Sequence, residues 1–205
     1  MERKYKLTDE CMQYEGHKLY RIQSLRSFSN VKEGELGGYI ESEDNLSHDG
    51  MCWVYEEAKV FGNAKVYNNA CVYFYAEVCG DAKVFGNADV RGNAKVFGNA
   101  EVRGDAKVFD CAEVLDAEVF GNAEVSGDAK VYKNGDYIVF KNWWSSGRYF
   151  TWTRSNNKWK VGCFWGTGAE LINNAYEDSE LSGREYERVV KYVESILADE
   201  NAQKK

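Results

Sequence analysis

Apolar positions recur every six residues through the middle of this chain. Valines stand at 54, 60, 66, 72, 78, 84, 90, 96, 102, 108, 114, 119, 125 and 131, and every step is six except the one from Val114 to Val119, which is five. Alanine occupies the position two before each valine, from Ala58 through Ala129. A helix is excluded because six does not match its ~3.6-residue period and glycine recurs in nearly every unit. Short strands fit instead: in Ala-x-Val both named side chains point to one face, with the residue between them and the one after Val on the other. Gly-Asn or Gly-Asp follows, and both tolerate the left-handed backbone that a sharp corner needs. Extended backwards, the alanine register takes in Ile40, Leu46 and Cys52 and puts His48 at a valine position.

This pattern resembles the hexapeptide left-handed β-helix, in which three hexads make one triangular coil of 18 residues. The sequence carries its own test. Residues 18 apart stack at about 4.8 Å in such a coil. The outward position after Ala then forms the column Lys59, Glu77, Lys95, Glu113, Lys130, whose charges alternate in sign at every step. Asp89, Lys107, Glu124 alternate as well, whereas Lys65, Lys83, Glu101, Glu118 do not. Stacked opposite charges attract, so the first column supports three hexads per coil. The expected fold is mainly β: a left-handed parallel β-helix of about five coils over residues 40–134, a prism roughly 25 Å long.

The residue after each valine should face solvent, yet one such column is apolar throughout: Phe61, Cys79, Phe97, Leu115, Tyr132. Monomers rarely leave a contiguous apolar stripe of several hundred Å² uncovered. The column is therefore expected to pack on another subunit or on a terminal domain. Left-handed β-helix proteins commonly form trimers, so the resemblance implies a cyclic homo-oligomer, a trimer by preference.

A solenoid needs covered ends. Residues 1–39 are expected to form an N-terminal β cap, with Met12–Tyr14 and Lys18–Ile22 as a hairpin around Glu15-Gly16. From Gly135 the composition changes, with five of the six tryptophans beyond residue 142. Residues 136–141, 148–154 and 158–164 are expected as strands. Thr167-Gly168-Ala169-Glu170 and Ser182-Gly183-Arg184-Glu185 are capping-box sequences that should open two helices. Residues 135–205 thus form a small α+β domain.

Composition narrows the partners. A net charge of -7 argues against a nucleic-acid binder, which needs a basic face. No run approaches the ~18 apolar residues of a membrane helix, and the N-terminus leads into no signal-peptide pattern. The six cysteines form no CxxC pair, which points to reduced thiols in a cytoplasm rather than to disulfides or zinc. No metal or cofactor site is expected.

The whole chain resembles a group of uncharacterised proteins of bacteriophage, prophage and gut bacterial genomes. The shared elements are Leu19-Tyr20-Arg21-Ile22, Gly37-Gly38-Tyr39-Ile40, the Gly-Asn-Ala repeats, and Gly162-Cys163-Phe164-Trp165-Gly166-Thr167. The resemblance implies a cytoplasmic protein of a bacterial host. The C-terminal cluster Trp143, Trp144, Arg148, Tyr149, Trp152, Arg154, Trp159 and Lys160 interleaves aromatics with cations, as surfaces that stack a planar base and neutralise phosphate do. The expectation is a non-catalytic, oligomeric binding protein that sequesters a small anionic, nucleotide-like host defence signal or a host protein. Two alternatives stand beside it. One is a structural virion or assembly component. The other is a hexapeptide-repeat acyltransferase, an enzyme class that uses a histidine as general base near a subunit interface. Against it, the only histidines are His17 and His48, neither lies in the central coils, and no long loop interrupts Val54–Val131.

Overall fold

A computed structural model describes residues 3–203, so that Met1 and Glu2 of the expected cap and the last two lysines lie outside the described residues. The chain divides into two compact units, one reaching to Ile138 and including Thr153–Asn156, the other made of Val139–Trp152 and the chain from Asn157.

The first unit is a parallel β-solenoid of about five coils. Its three faces are stacks of strands two or three residues long. One runs Lys59–Val60, Glu77–Val78, Lys95–Phe97, Glu113–Leu115, Lys130–Val131; the second runs from Trp53–Val54 to Glu124–Val125 and the third from Lys65–Val66 to Glu118–Val119. The register is the predicted 18, with Lys95 beside both Glu77 and Glu113 and Val96 between Val78 and Val114. Every valine from 54 to 131 and every alanine from 58 to 129 is buried. Amides of one coil donate to carbonyls of the next, as Lys95 N–H does to Ala112 at 2.9 Å. At the corners Asn69, Asn87 and Asp105 form a side-chain ladder with bonds of 3.1 and 3.0 Å.

Two departures from the six-residue rule have physical consequences. At the five-residue step one corner residue is missing, and Asp116 takes a left-handed conformation (φ 52°) in place of the Gly-Asn pair. Its carboxylate accepts from the Asn99 backbone N–H at 2.7 Å and from the Asn99 amide at 3.1 Å, supplying the acceptor that the shortened corner lacks. In the first coil Ile40 sits beside Val60 and Leu46 beside Val66, 20 residues apart. Two extra residues therefore lie between Leu46 and Val54, which corrects the expected register. Ile40 and Leu46 fall in the valine stack, and His48 is bent out of the prism interior to a half-buried position.

The charge column is made of ion pairs. Lys95 Nζ lies 2.9 Å from Glu77 and Lys130 Nζ 3.4 Å from Glu113. The third face pairs too, although not by strict alternation: Lys83 reaches Glu101 at 2.8 Å and Arg103 reaches Glu118 at 3.0 Å. Lys95→Glu should lower the urea-unfolding stability by at least about 1 kcal/mol, because the ion pair to the buried Glu77 is lost and like charges stack. Exchanging charges in the double variant with Glu77→Lys should return part of it. A single variant as stable as the parent would show that the column is neutral in energy.

The N-terminal hairpin extends the first face. Strand β1 (Tyr5–Tyr14) pairs antiparallel with β2 (His17–Ser24), which pairs with β3 (Leu36–Ile40), and β3 continues in parallel onto the coils. Glu15 and Gly16 make the two-residue turn with φ of 49° and 86°, the left-handed pair that matches strand twist. Arg21 ties the hairpin to the first coil through Glu57 at 2.8 Å and the Gly37 carbonyl at 2.7 Å. The fully buried Lys4 donates to the Cys52 carbonyl at 2.9 Å, and burial lowers its ammonium pKa. None of the six cysteines is paired.

The second unit carries most of a four-stranded sheet in the order Tyr137–Lys141, Tyr149–Thr153, Lys158–Val161, Phe164–Gly166. The strand expected over 158–164 is broken at Gly162 (φ 56°), giving a hairpin in which Val161 faces Phe164. Helix α1 (Gly168–Asp178) begins with the predicted capping box, Thr167 Oγ1 accepting from the Glu170 N–H at 3.3 Å and Glu170 accepting from the Thr167 N–H at 2.7 Å. Helix α2 (Glu180–Gln203) starts earlier than predicted. Ser182 lies inside it, and the Ser179 hydroxyl accepts the Ser182 N–H at 3.1 Å. Gly183 is required by close approach, since a Cβ there would fall 2.2 Å from the Tyr176 ring. Among the described residues no helix is long and apolar enough to cross a membrane.

Candidate functional site

The tight turn at Glu15-Gly16 makes His17 the first residue of β2, directly opposite Tyr14. Because β2 pairs with β3, the imidazole arrives beside Glu41, one residue past the end of β3. Nδ1 of His17 lies 3.0 Å from each Glu41 carboxylate oxygen. Glu41 is held in turn by the Gly62 N–H, which donates to Oε2 at 2.7 Å. The His17 hydrogen bond and the Gly62 amide hold the Glu41 carboxyl below its usual pKa, so it is ionised at neutral pH. A carboxylate on Nδ1 keeps the proton there and leaves Nε2 as the basic nitrogen of the neutral ring. Nε2 has no hydrogen-bond partner among the described residues, and the side chain is 37% exposed. The ring leans on Phe61 at 5.0 Å between centroids. This is a carboxylate–imidazole pair with an open base, mounted on the flank of the coils.

Its surroundings are partly apolar and walled. The hairpin folds over the outward face, so that Phe61 is buried against Leu19 and Tyr39, with Met12, Tyr14 and Cys79 around it. The Tyr14 hydroxyl donates to Glu77, whose carboxylate also pairs with Lys95. Next to these groups lies a cavity of about 320 Å³ bounded by Glu15, Glu77, Cys79, Lys95, Phe97 and Glu113. Burial pushes the Cys79 thiol up, which keeps it protonated and a poor nucleophile. Beyond the Gly62 corner a second hollow of about 740 Å³ is bounded by Ser42, Asp44, Lys65, Lys83 and Glu101 among others, and Gly62 itself is in its wall.

His48 is not comparable. Its ring stacks on Tyr5 at 4.3 Å, its Nδ1 accepts the Lys4 N–H at 3.2 Å, and its buried Nε2 lies 3.7 Å from Glu43. It caps the end of the solenoid.

The expected C-terminal ligand cluster is dispersed. Trp152 and Trp159 are core residues with Phe150, and the Trp152 indole donates to Asn157 at 2.9 Å. Trp144 packs edge-on against Tyr186 at 4.9 Å, while Trp143 is exposed. Tyr149 lies exposed under the Lys141 ammonium and Lys160 Nζ donates to the Gly162 carbonyl at 2.7 Å. Arg154 belongs to the first unit, where it lies 3.7 Å from Asp136. Of the eight residues, Arg148 borders a cavity of about 490 Å³ in the second unit and the other seven do not line it. In the apolar column Phe61 is buried under the hairpin, Cys79, Phe97 and Leu115 are half-buried, and Tyr132 is 44% exposed with its hydroxyl donating to Glu113 at 2.7 Å.

Sequence reasoning missed Glu41. It is one of 33 acidic residues, 24 positions from His17, and only the β2–β3 pairing joins them. The Leu19–Ile22 and Gly37–Ile40 segments that flag this pairing are visible as apolar runs, but nothing in them sets the register.

No known protein family matches the chain. A segment is 37% identical over 71 residues to a protein of Escherichia coli (strain K12) described as "Uncharacterized acetyltransferase YdcK". The match takes in 30% of this chain and 22% of that protein, so the chain spans only about a fifth of the length of this relative. The likeness points to an enzyme and overturns the expectation of a non-catalytic protein. That expectation rested on the missing histidines of the central coils and overlooked that a hairpin can carry a histidine to their flank.

Proposed function

We propose that the chain is an acyltransferase of the hexapeptide-repeat kind, with His17 as general base and Glu41 as its positioning partner. The observation that carries this reading is the His17–Glu41 pair, its Nε2 without a hydrogen-bond partner among the described residues, on the flank of a β-solenoid. The likeness to a protein described as an acetyltransferase supports it. In the proposed reaction Nε2 removes the proton from an acceptor hydroxyl or amine as that atom attacks the carbonyl carbon of an acyl thioester. The tetrahedral adduct collapses with loss of the thiolate, which takes the proton back from the imidazolium. The products are the acylated acceptor and a free thiol. Ionised Glu41 stabilises the imidazolium while it exists. The test is chromatographic measurement of free coenzyme A released from acetyl-coenzyme A by the full chain, across a panel of hydroxyl and amine acceptors. Release that saturates with one acceptor class supports the reading; release at the uncatalysed rate with every acceptor rejects it.

The same reading includes assembly through the part of the apolar column that the hairpin leaves uncovered: Phe97, Leu115 and Tyr132, with Phe61 and Cys79 at its covered end. A second copy there would close the open side of the Phe97 cavity, and a trimer is the preferred closed form. Phe97→Glu buries a charge in that seam and should reduce the mass in solution to that of one 23.4 kDa chain. Light scattering reads this directly, and an unchanged multimeric mass would exclude the seam.

A further inference from the structure

The second unit contains a cavity of about 490 Å³ between residues 142–148, the turn at Gly162, and helices α1 and α2. Its lining is mixed: Phe164 and Leu171 give it apolar wall, and its charged groups are of opposite sign. Glu177 and Asp178 border it from the last turn of α1, which carries no basic residue. Carboxylates at that end repel the partial negative charge of the helix terminus, a placement that costs stability unless a cation sits against it. Arg148 borders the same cavity, with Nη1 lying where Gly162 leaves room: a Cβ there would be 3.2 Å from it. Neither this guanidinium nor the two carboxylates has an ion-pair partner among the described residues.

Tyr186 is 93% buried by its 7% exposure and also borders the cavity. Its hydroxyl oxygen accepts from the Asn142 amide at 3.0 Å, and its own hydrogen has no acceptor among the described residues. The Asn142 carbonyl oxygen is already used by the Ser145 N–H at 2.9 Å and the Ser145 hydroxyl at 3.1 Å, which fixes the amide with its N–H toward Tyr186. Burial pushes the Tyr186 hydroxyl up, Asp178 adds to that and Arg148 opposes it. Both charges thus act on one phenol that stays protonated and able to donate. A buried donor without an acceptor is a costly arrangement that a bound acceptor relieves.

We infer that this cavity binds a small zwitterion of the amino-acid class, its carboxylate taken by Arg148 and the Tyr186 hydroxyl, its ammonium by Glu177 and Asp178, and its apolar side chain by Phe164 and Leu171. Charge-assisted bonds at both ends and apolar walls between them select a molecule with both charges and a short hydrocarbon body. The inference is independent of the acyl-transfer reading, since all its groups lie in the second unit.

The experiment is calorimetric titration of the full chain with each of the common amino acids, followed by the decarboxylated amine and the deaminated acid of the best binder. At least one amino acid should bind, and each analogue with a single charge should bind at least about tenfold more weakly, the loss of a charge-assisted contact. Arg148→Gln should weaken binding by a similar factor. Tyr186→Phe, which keeps the ring against Trp144 and Phe150, should weaken it less, and the thermal midpoint of each variant checks that it is folded. Absence of binding for every amino acid up to about 10 mM, equal affinity for the amine analogue, or full affinity in folded Arg148→Gln would each overturn the assignment.

Discussion

Replacing His17 by Asn should cut the rate of acyl transfer by at least about 100-fold, the lower end of what a positioned general base contributes. Asparagine can still reach Glu41 but offers no basic nitrogen, so the hairpin tip is kept while the chemistry is removed. The loss should appear in kcat, with the KM for the thioester little changed, because the base acts on the proton moved in the transition state. Glu41→Gln should cost less, because it leaves the imidazole in place and removes the negative charge that steadies its protonated form. The parent, and not this variant, should show a pH dependence that follows from the depressed Glu41 pKa. The orientation of His17 is fully present above the ordinary carboxylate value and is lost as pH falls through the lower, folded value. His48→Ala separates site from scaffold: it should lower the thermal midpoint, since it removes the ring stacked on Tyr5, and leave the rate per folded molecule unchanged. Steady-state rates of the three variants decide the matter. A His17→Asn protein within twofold of the parent would remove His17 from the mechanism.

The largest effect on stability is expected inside the prism. Val96 is wholly buried at the centre of the first face, between Val78 and Val114. Val96→Asp puts a carboxylate where no hydrogen-bond donor or cation can reach it, and the cost is at least about 4 kcal/mol. Coils touch only their neighbours, so this single site weakens the contacts on both sides of its coil. Val96→Ala keeps the site apolar and should cost about 2 kcal/mol, the transfer and cavity terms of a small truncation. Urea unfolding followed by far-ultraviolet circular dichroism measures both. A Val96→Asp protein destabilised by no more than the alanine variant would mean that the valine stack is not the dry core that its burial indicates.

The legible and illegible parts of the chain differ in the range of the interactions that set them. The 18-residue stack is written in Lys59, Glu77, Lys95, Glu113 and Lys130 because each hexad repeats one local geometry, and the thirteen alanines can only be interior. The α1 cap was equally legible, since Thr167 and Glu170 bond within one turn. The α2 start was not: Ser179 and Ser182 are both good cap residues, and the choice between them depends on where α1 ends. The first coil misled because two residues inserted between Leu46 and Val54 leave the periodic pattern intact on both sides while moving His48 out of the interior. The C-terminal aromatics misled differently, since composition distinguishes neither a core tryptophan such as Trp152 from an exposed one such as Trp143 nor an arginine beside a carboxylate such as Arg154 from one with no ion-pair partner among the described residues such as Arg148.

The sequence by itself determined the solenoid, its period and its number of coils, because a six-residue repeat constrains every coil in the same way through contacts with its neighbours alone. Only the tertiary structure decided which of two histidines meets a carboxylate. His17 and Glu41 come together through an antiparallel pairing across 24 residues of chain, and that register is set by the packing of the hairpin on Phe61 and the anchoring of Arg21, neither of which leaves a periodic trace. The repeat builds the prism; a single non-repeated hairpin brings His17 to Glu41 on its flank.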